Sequence, residues 1–201
     1  MKTLTTLFVS CVVAAGAGLT AAAPDAPLSL VSARVTIDGT SNVHPYTASS
    51  KAVRLTRFQI AATNGDVLRQ VLQPGALEAF DIAIAASSLA SPKGDIDKNM
   101  HKALKVQEHA DITFRLRTLD TGTGEAAGIP LKAIGTLTIA GVEREVTLDL
   151  KAQRAGATLT LTGGVDLLMT DFGVTPPKAM LGMLKTDAKV RVSFEVVVAA
   201  S

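Results

Sequence analysis

Long stretches of this chain alternate apolar and polar residues with a period of two. From Glu145 to Ala152, Val146, Leu148, Leu150 and Ala152 fall on one side and Glu145, Thr147, Asp149 and Lys151 on the other. Side chains of a β-strand point to opposite faces in turn, so the segment is a half-buried strand. Val190 to Val198 repeats the pattern, with Val190, Val192, Phe194, Val196 and Val198 facing one way. Ile112, Phe114 and Leu116 alternate with Thr113, Arg115 and Arg117, and Phe80, Ile82 and Ile84 alternate with Ala79, Asp81 and Ala83. The same period runs more weakly through Ala33–Ile37, Ala48–Ile60, Ala133–Ile139 and Ala157–Leu161. That makes about eight strands. Turn signals fall between them at Asn64-Gly65, Gln73-Pro74-Gly75, Thr121 to Gly128, Ala140-Gly141 and Ala155-Gly156. Without long helices between the strands, the chain reads as a single all-β antiparallel domain, closed as a barrel or folded as a sandwich.

Alternation alone does not say which face is wet. The apolar faces carry Val, Leu and Ile without the aromatic girdles of an outer-membrane barrel, and the opposite faces carry charges of both signs, as an exterior in water does. With 20 basic and 18 acidic side chains the formal charge is only +2, too weak a field to point to nucleic acid or an anionic partner. Six Phe, one Tyr and no Trp leave little material for base-stacking platforms.

The first 22 residues read as a secretory signal peptide. Lys2 supplies the positive start, Leu7 to Leu19 the apolar run, and Ala21-Ala22-Ala23 the small residues for cleavage, placed after Ala22 with Thr20 at the other small position. The apolar run is shorter than the roughly 20 residues of a transmembrane helix. The mature domain, 23–201, is then nearly neutral, periplasmic or secreted, and not membrane-spanning. The only cysteine, Cys11, lies in the removed segment, which excludes disulfides and thiolate metal sites from the mature protein.

Two segments depart from the strand pattern. Asp95–Val106 reads as a short helix in a long connection, with Asp95 as N-cap and Ile96, Met100, Ala103 and Leu104 on one face. Met169–Lys185 holds Pro176-Pro177, which forbid a central strand, and then Met180, Leu181, Met183 and Leu184. This apolar stretch either plugs one end of the fold or forms an adaptable rim.

Chemistry-bearing motifs are sparse. His44, His101 and His109 lie at no spacing that defines a metal site, there is no Gly-x-Ser-x-Gly nucleophile elbow, and Gly122-Thr123-Gly124 lacks the context of a phosphate loop. The reading is therefore non-catalytic, with no metal and no cofactor.

Four stretches in order resemble the YceI-like, polyisoprenoid-binding family of bacterial secreted proteins. They are Ile37-Asp38-Gly39-Thr40-Ser41-Asn42-Val43-His44; Ser87-Ser88-Leu89 leading to Asp97 through Lys105 and His109 through Phe114; Gly135 through Val142; and Met169 through Val174 with Pro176-Pro177. Tyr46 stands where the Gly-Thr-Ser subgroup carries Trp, and Ala110 where Pro commonly follows His. The resemblance implies an eight-stranded antiparallel, lipocalin-like barrel with one short helix in a long connection. It further implies an interior that holds an isoprenoid or other long-chain lipid in the periplasm.

A barrel of eight strands is just wide enough to be filled by side chains or to hold one slim ligand, so the inward volumes decide. Several inward candidates are small: Ala33, Ala133, Gly135, Ala152 and Ala157. For a bound chain the expected wall is Phe80, Ile82, Phe114, Leu137, Leu148 and Phe194. Met100, Leu104 and Phe172 are then expected near an entrance, with Lys98, His101 and Lys102 as head-group contacts. The same positions serve equally as plain core in a filled barrel acting as a protein-interaction module, and a hydrolase or isomerase using the pocket is the third reading. The oligomeric state is not written in the sequence.

Overall fold

The alternating segments become one curled antiparallel sheet in the computed structural model, which describes residues 27–61, 65–123, 128–179 and 183–201. The signal-peptide segment 1–22, Asn64 of the first turn signal, and Met180 and Leu181 of the apolar stretch lie outside the described residues. The strands are β1 (Leu28–Ser41), β2 (Tyr46–Ser50), β3 (Val53–Ile60), β4 (Leu77–Ala85), β5 (Asp111–Thr121), β6 (Ile129–Ile139), β7 (Val142–Ala155), β8 (Thr158–Leu168), β9 (Lys178–Ala179) and β10 (Leu184–Ala200). They pair in the order β2-β1-β10-β8-β7-β6-β5-β4-β3, with the two-residue β9 attached to β10.

The path has nine strands where eight were expected, because the expected strand Ala48–Ile60 is divided at Lys51-Ala52 into β2 and β3. These two strands form opposite ends of the path, so one bent segment of chain carries both ends of the curled sheet. The bend is held where Ala85 N donates to Ala52 O at 3.3 Å and where Ser49 and Ala90 exchange backbone hydrogen bonds of 2.8 and 3.0 Å. Other boundaries move as well. Ala33–Ile37 is the middle of the 14-residue β1, and the expected Ala157–Leu161 begins at Thr158 and runs on to Leu168, leaving Ala157 exposed in the turn.

Register shifts change which parity of residue faces inward. In β1, Leu30 pairs with Val198 and Ser32 with Val197, so Val31 is the extra residue of a bulge. Leu28 and Leu30 before it and Ala33, Val35 and Ile37 after it therefore all belong to the core. Similar shifts at Thr56 in β3 and Arg117 in β5 bring in Phe58 and Leu119. The outward faces carry cross-strand ion pairs, among them Arg115–Glu143 at 2.5 Å, Arg191–Asp166 at 3.0 Å and Arg117–Glu145. Lipid would not accommodate such a surface.

Among the described residues two α-helices lie at opposite ends of the sheet. Helix α1 (Val67–Gln70) is a single turn in the β3–β4 connection, capped by Asp66, whose carboxylate accepts from Arg69 N at 3.3 Å. Val67, Leu68, Val71 and Leu72 are all buried, so this short segment plugs one end. Helix α2 (Gly94–Ala103) occupies the long β4–β5 connection at the other end. Its N-cap position is Lys93, which makes no side-chain cap bond; the expected cap, Asp95, sits inside the first turn. Nearby, Met169–Phe172 forms a 3-10 turn that ends at Gly173 in the left-handed region, φ 65°. A small cluster of Ala140, Phe172 and Val174 packs beneath it. Among the described residues no helix is long and apolar enough to cross a membrane.

Candidate ligand cavity

The curled sheet encloses two apolar chambers placed end to end. The inner chamber, about 140 Å³, is lined only by apolar residues. All six expected wall residues, Phe80, Ile82, Phe114, Leu137, Leu148 and Phe194, lie on it, and Val71 and Leu72 of the α1 segment line it too. The outer chamber, about 260 Å³, takes in Met100, Leu104 and Phe172, the three residues expected near an entrance. Leu167 and Val192 line both chambers and so mark the passage between them.

Burial separates a void from a filled core. Phe80, Ile82, Leu137, Leu148 and Phe194 point inward yet are only half buried, whereas Phe114 is buried. An inward side chain in a close-packed core is covered on every side. These five keep part of their surface uncovered, and they line the cavity.

The small inward residues contribute unequally. Ala133 is buried and lines the inner chamber. Gly135 leaves no void, because a methyl there would stand 2.5 Å from Cζ of Phe114 and 2.4 Å from the carbonyl oxygen of Arg115. Gly163, which the alternation did not single out, makes room in the same way for Phe194 and Leu150. Ala33 and Ala152 are core residues, and neither they nor Ala157 line a chamber.

Polar side chains occur only around the outer chamber, where Ser41, His44, Tyr46, Lys93, Asp95, Asn99, Lys178 and Thr186 contribute. The expected head-group contacts do not line it. Ile96, Met100 and Ala103 of α2 face the chamber. At about 100° per residue, Lys98 and Lys102 fall on the side of the helix away from Met100. Lys98 instead approaches Asp95 at 3.7 Å, Lys102 is exposed, and His101 Nε2 lies 2.8 Å from the carbonyl of Leu89. The lysines that do line it are Lys93 and Lys178. Lys93 was hidden from the reading by the displaced helix start, and Lys178 by its place after two prolines.

Tyr46 is set by close packing over a glycine: a methyl at Gly39 would stand 2.3 Å from its hydroxyl oxygen. Burial, reinforced by the nearby Asp187 carboxylate, raises its phenol above the ordinary value of 10.0, so the hydroxyl stays protonated at neutral pH and can donate a hydrogen bond. The remaining histidines are engaged locally. His44 Nδ1 lies 3.1 Å from the carbonyl of Pro45, and the His109 ring packs where a side chain at Gly141 would lie. Among the described residues no three His, Cys, Asp or Glu side chains are grouped so as to hold a metal ion.

A curled antiparallel sheet around an apolar interior is an architecture suited to binding. Residues 41–198 match the family model of the YceI-like domain, and the chain belongs to that family. Among solved structures, BcnA of Burkholderia cenocepacia is similar with a TM-score of 0.63 at 16% identity, over 82% of this chain and 95% of that one. A polyisoprenoid binding domain from Saccharophagus degradans gives a TM-score of 0.63 at 14% identity, over 87% and 99%. The YceI protein of Campylobacter jejuni gives 0.52 at 15% identity, over 74% and 84%. At these identities the likeness establishes the fold. Curated proteins give no match.

Proposed function

We propose that this protein is an exported, non-catalytic carrier that holds one long apolar chain, an isoprenoid or another lipid, along the axis of its barrel. The observation that carries the reading is the uncovered inward surface of Phe80, Ile82, Leu137, Leu148 and Phe194 around a chamber with no polar lining. Each methylene moved from water into such a chamber contributes about 0.8 kcal/mol, so a slim chain is held without covalent chemistry. The polyisoprenoid binding domain among its structural neighbours supports the ligand class, and the apolar N-terminal segment ending in Ala21-Ala22-Ala23 supports export to the periplasm. In this reading the ligand's head sits in the outer chamber, among its polar residues, with the Tyr46 hydroxyl as donor.

The chain has no tryptophan, so Phe80→Trp introduces a single reporter in the inner chamber. Titrating the delipidated variant with prenyl and acyl lipids is expected to shift its emission saturably at about one ligand per chain. An emission that no lipid alters would remove the carrier reading. Signal cleavage and export are checked by fractionating cells that express the full chain.

A further inference from the structure

The described residues leave four large apolar side chains exposed: Val31 at 58%, Val43 at 64%, Leu168 at 44% and Met183 at 69%. Three of the four gather around one opening. Leu168 itself lines the outer chamber, and Val43 lies next to His44, which does as well. Met183 is held against the same edge, because its carbonyl accepts from Asn42 Nδ2 at 2.8 Å. Val31 sits ten positions before Ser41 in β1, about 33 Å away at the strand rise.

The charges around the opening have a matching character. Lys93 and Lys178 line the outer chamber, and Lys185 stands opposite Lys178 in the β9–β10 pairing. None of the three is among the ion pairs of the described residues. Of the acids at this end, Asp95 lines the chamber and is paired with Lys98, Asp97 accepts from Ser91 N at 2.7 Å, Asp187 accepts from the Thr40 hydroxyl at 2.6 Å, and Asp171 is exposed on the 3-10 turn; against these four stand Lys93, Lys98, Lys102, Lys178 and Lys185. The rim therefore combines protruding apolar side chains with a small cationic excess, the composition of a surface that seats on anionic lipid.

We infer that this end of the barrel docks on an anionic lipid bilayer, with Val43, Leu168 and Met183 entering the headgroup boundary and Lys93, Lys178 and Lys185 facing its phosphates. The inference rests on the carrier reading and deepens it. A long apolar chain has negligible concentration in water, so a carrier must collect it where it is dissolved. Docking mouth-down lets the chain pass from bilayer to chamber without crossing water.

The test uses Val43→Ser with Met183→Ser, which line neither chamber, and Val31→Ser as the equally exposed control at the far end. Each protein is sedimented with vesicles of phosphatidylcholine alone or mixed with phosphatidylglycerol. Its uptake of a fluorescent prenyl probe is then followed from vesicles and, separately, from dilute solution. Wild type and the control are expected to bind the mixed vesicles and extract the probe. The double variant is expected to lose at least about tenfold in both while taking up the probe from solution unchanged. Lys185→Gln is expected to weaken binding to mixed vesicles by about fivefold and leave binding to neutral ones unaltered. Wild-type protein that ignores vesicles, or a double variant equal to wild type, would overturn the inference. So would a solution dimer that the two substitutions dissolve, which would make the rim a self-association surface. Failure of probe uptake from solution by every protein would count against the carrier reading instead, and vesicle binding lost in the double variant would still support docking.

Discussion

The ring of Phe194 lies against the backbone of Gly163, its register partner across β10 and β8: a methyl at Gly163 would stand 2.9 Å from Cζ of Phe194 and 2.7 Å from the carbonyl oxygen of Asp149. The glycine clears the floor on which an aromatic wall residue rests, and the carbonyl cannot retreat without disturbing the β7–β8 ladder. Gly163→Ala is therefore expected to destabilise the protein by about 1–3 kcal/mol through overpacking, read as a lower urea midpoint with an unchanged slope.

Leu167 and Val192 stand where the two chambers meet, and a larger side chain there closes the inner one. Leu167→Trp is expected to exclude the tail of a long chain while leaving the outer chamber open. If four fewer methylenes are buried, affinity falls by about 3 kcal/mol. Short acyl chains should bind as before, and a chain-length series by calorimetry measures the difference.

Asn42 holds the start of β10 from two sides. Its amide donates to Met183 O at 2.8 Å, and its carbonyl oxygen accepts from Lys185 N at 2.8 Å. Asn42→Ala removes both bonds from an exposed position, so the global cost is about 1 kcal/mol. The local effect is larger: exchange of the Lys185 amide proton is expected to accelerate, and ligand release with it, as measured by hydrogen exchange and by stopped-flow transfer of a fluorescent lipid.

Asp66 ties the plug to the sheet, since it caps α1 and its carboxylate meets Arg154 of β7. Its hydrogen bond with the Arg154 side chain is the main cause that holds the carboxyl below its ordinary 3.8, and the Arg69 backbone bond adds to it. A depressed folded value means the contribution is present above the unfolded value and is lost as pH falls through the folded one. Thermal melts should therefore show Asp66→Asn less stable than wild type at neutral pH, with the gap closing below about pH 3.8.

Strand content was legible wherever alternation ran without interruption, as in Glu145–Ala152 and Val190–Val198, both inside observed strands. It blurred where Val31 and Thr56 insert an extra residue, because a bulge reverses the inward parity and a fixed period reads as noise. Helix α1 escaped notice because four residues are too few to display a helical period. The six inward wall positions could be read from strand phase, which is local. The packing of Phe114 over Gly135 and the pairing of Asn42 with Met183, 141 residues apart, are tertiary and leave no trace in spacing. The outward turn of Lys98 and Lys102 was within reach, since they lie two residues to either side of Met100, about 200° around the helix from it.

Native mass spectrometry of the mature protein, purified from a periplasm without detergent and followed by solvent extraction, tests whether the chambers hold a ligand. Wild type should carry about one apolar molecule per chain, and Ala133→Phe, which fills the inner chamber, should lose it while remaining folded. Wild-type protein that is reproducibly free of any adduct and stays so after incubation with prenyl and acyl lipids would contradict the carrier assignment. So would an adduct that the filled variant retains.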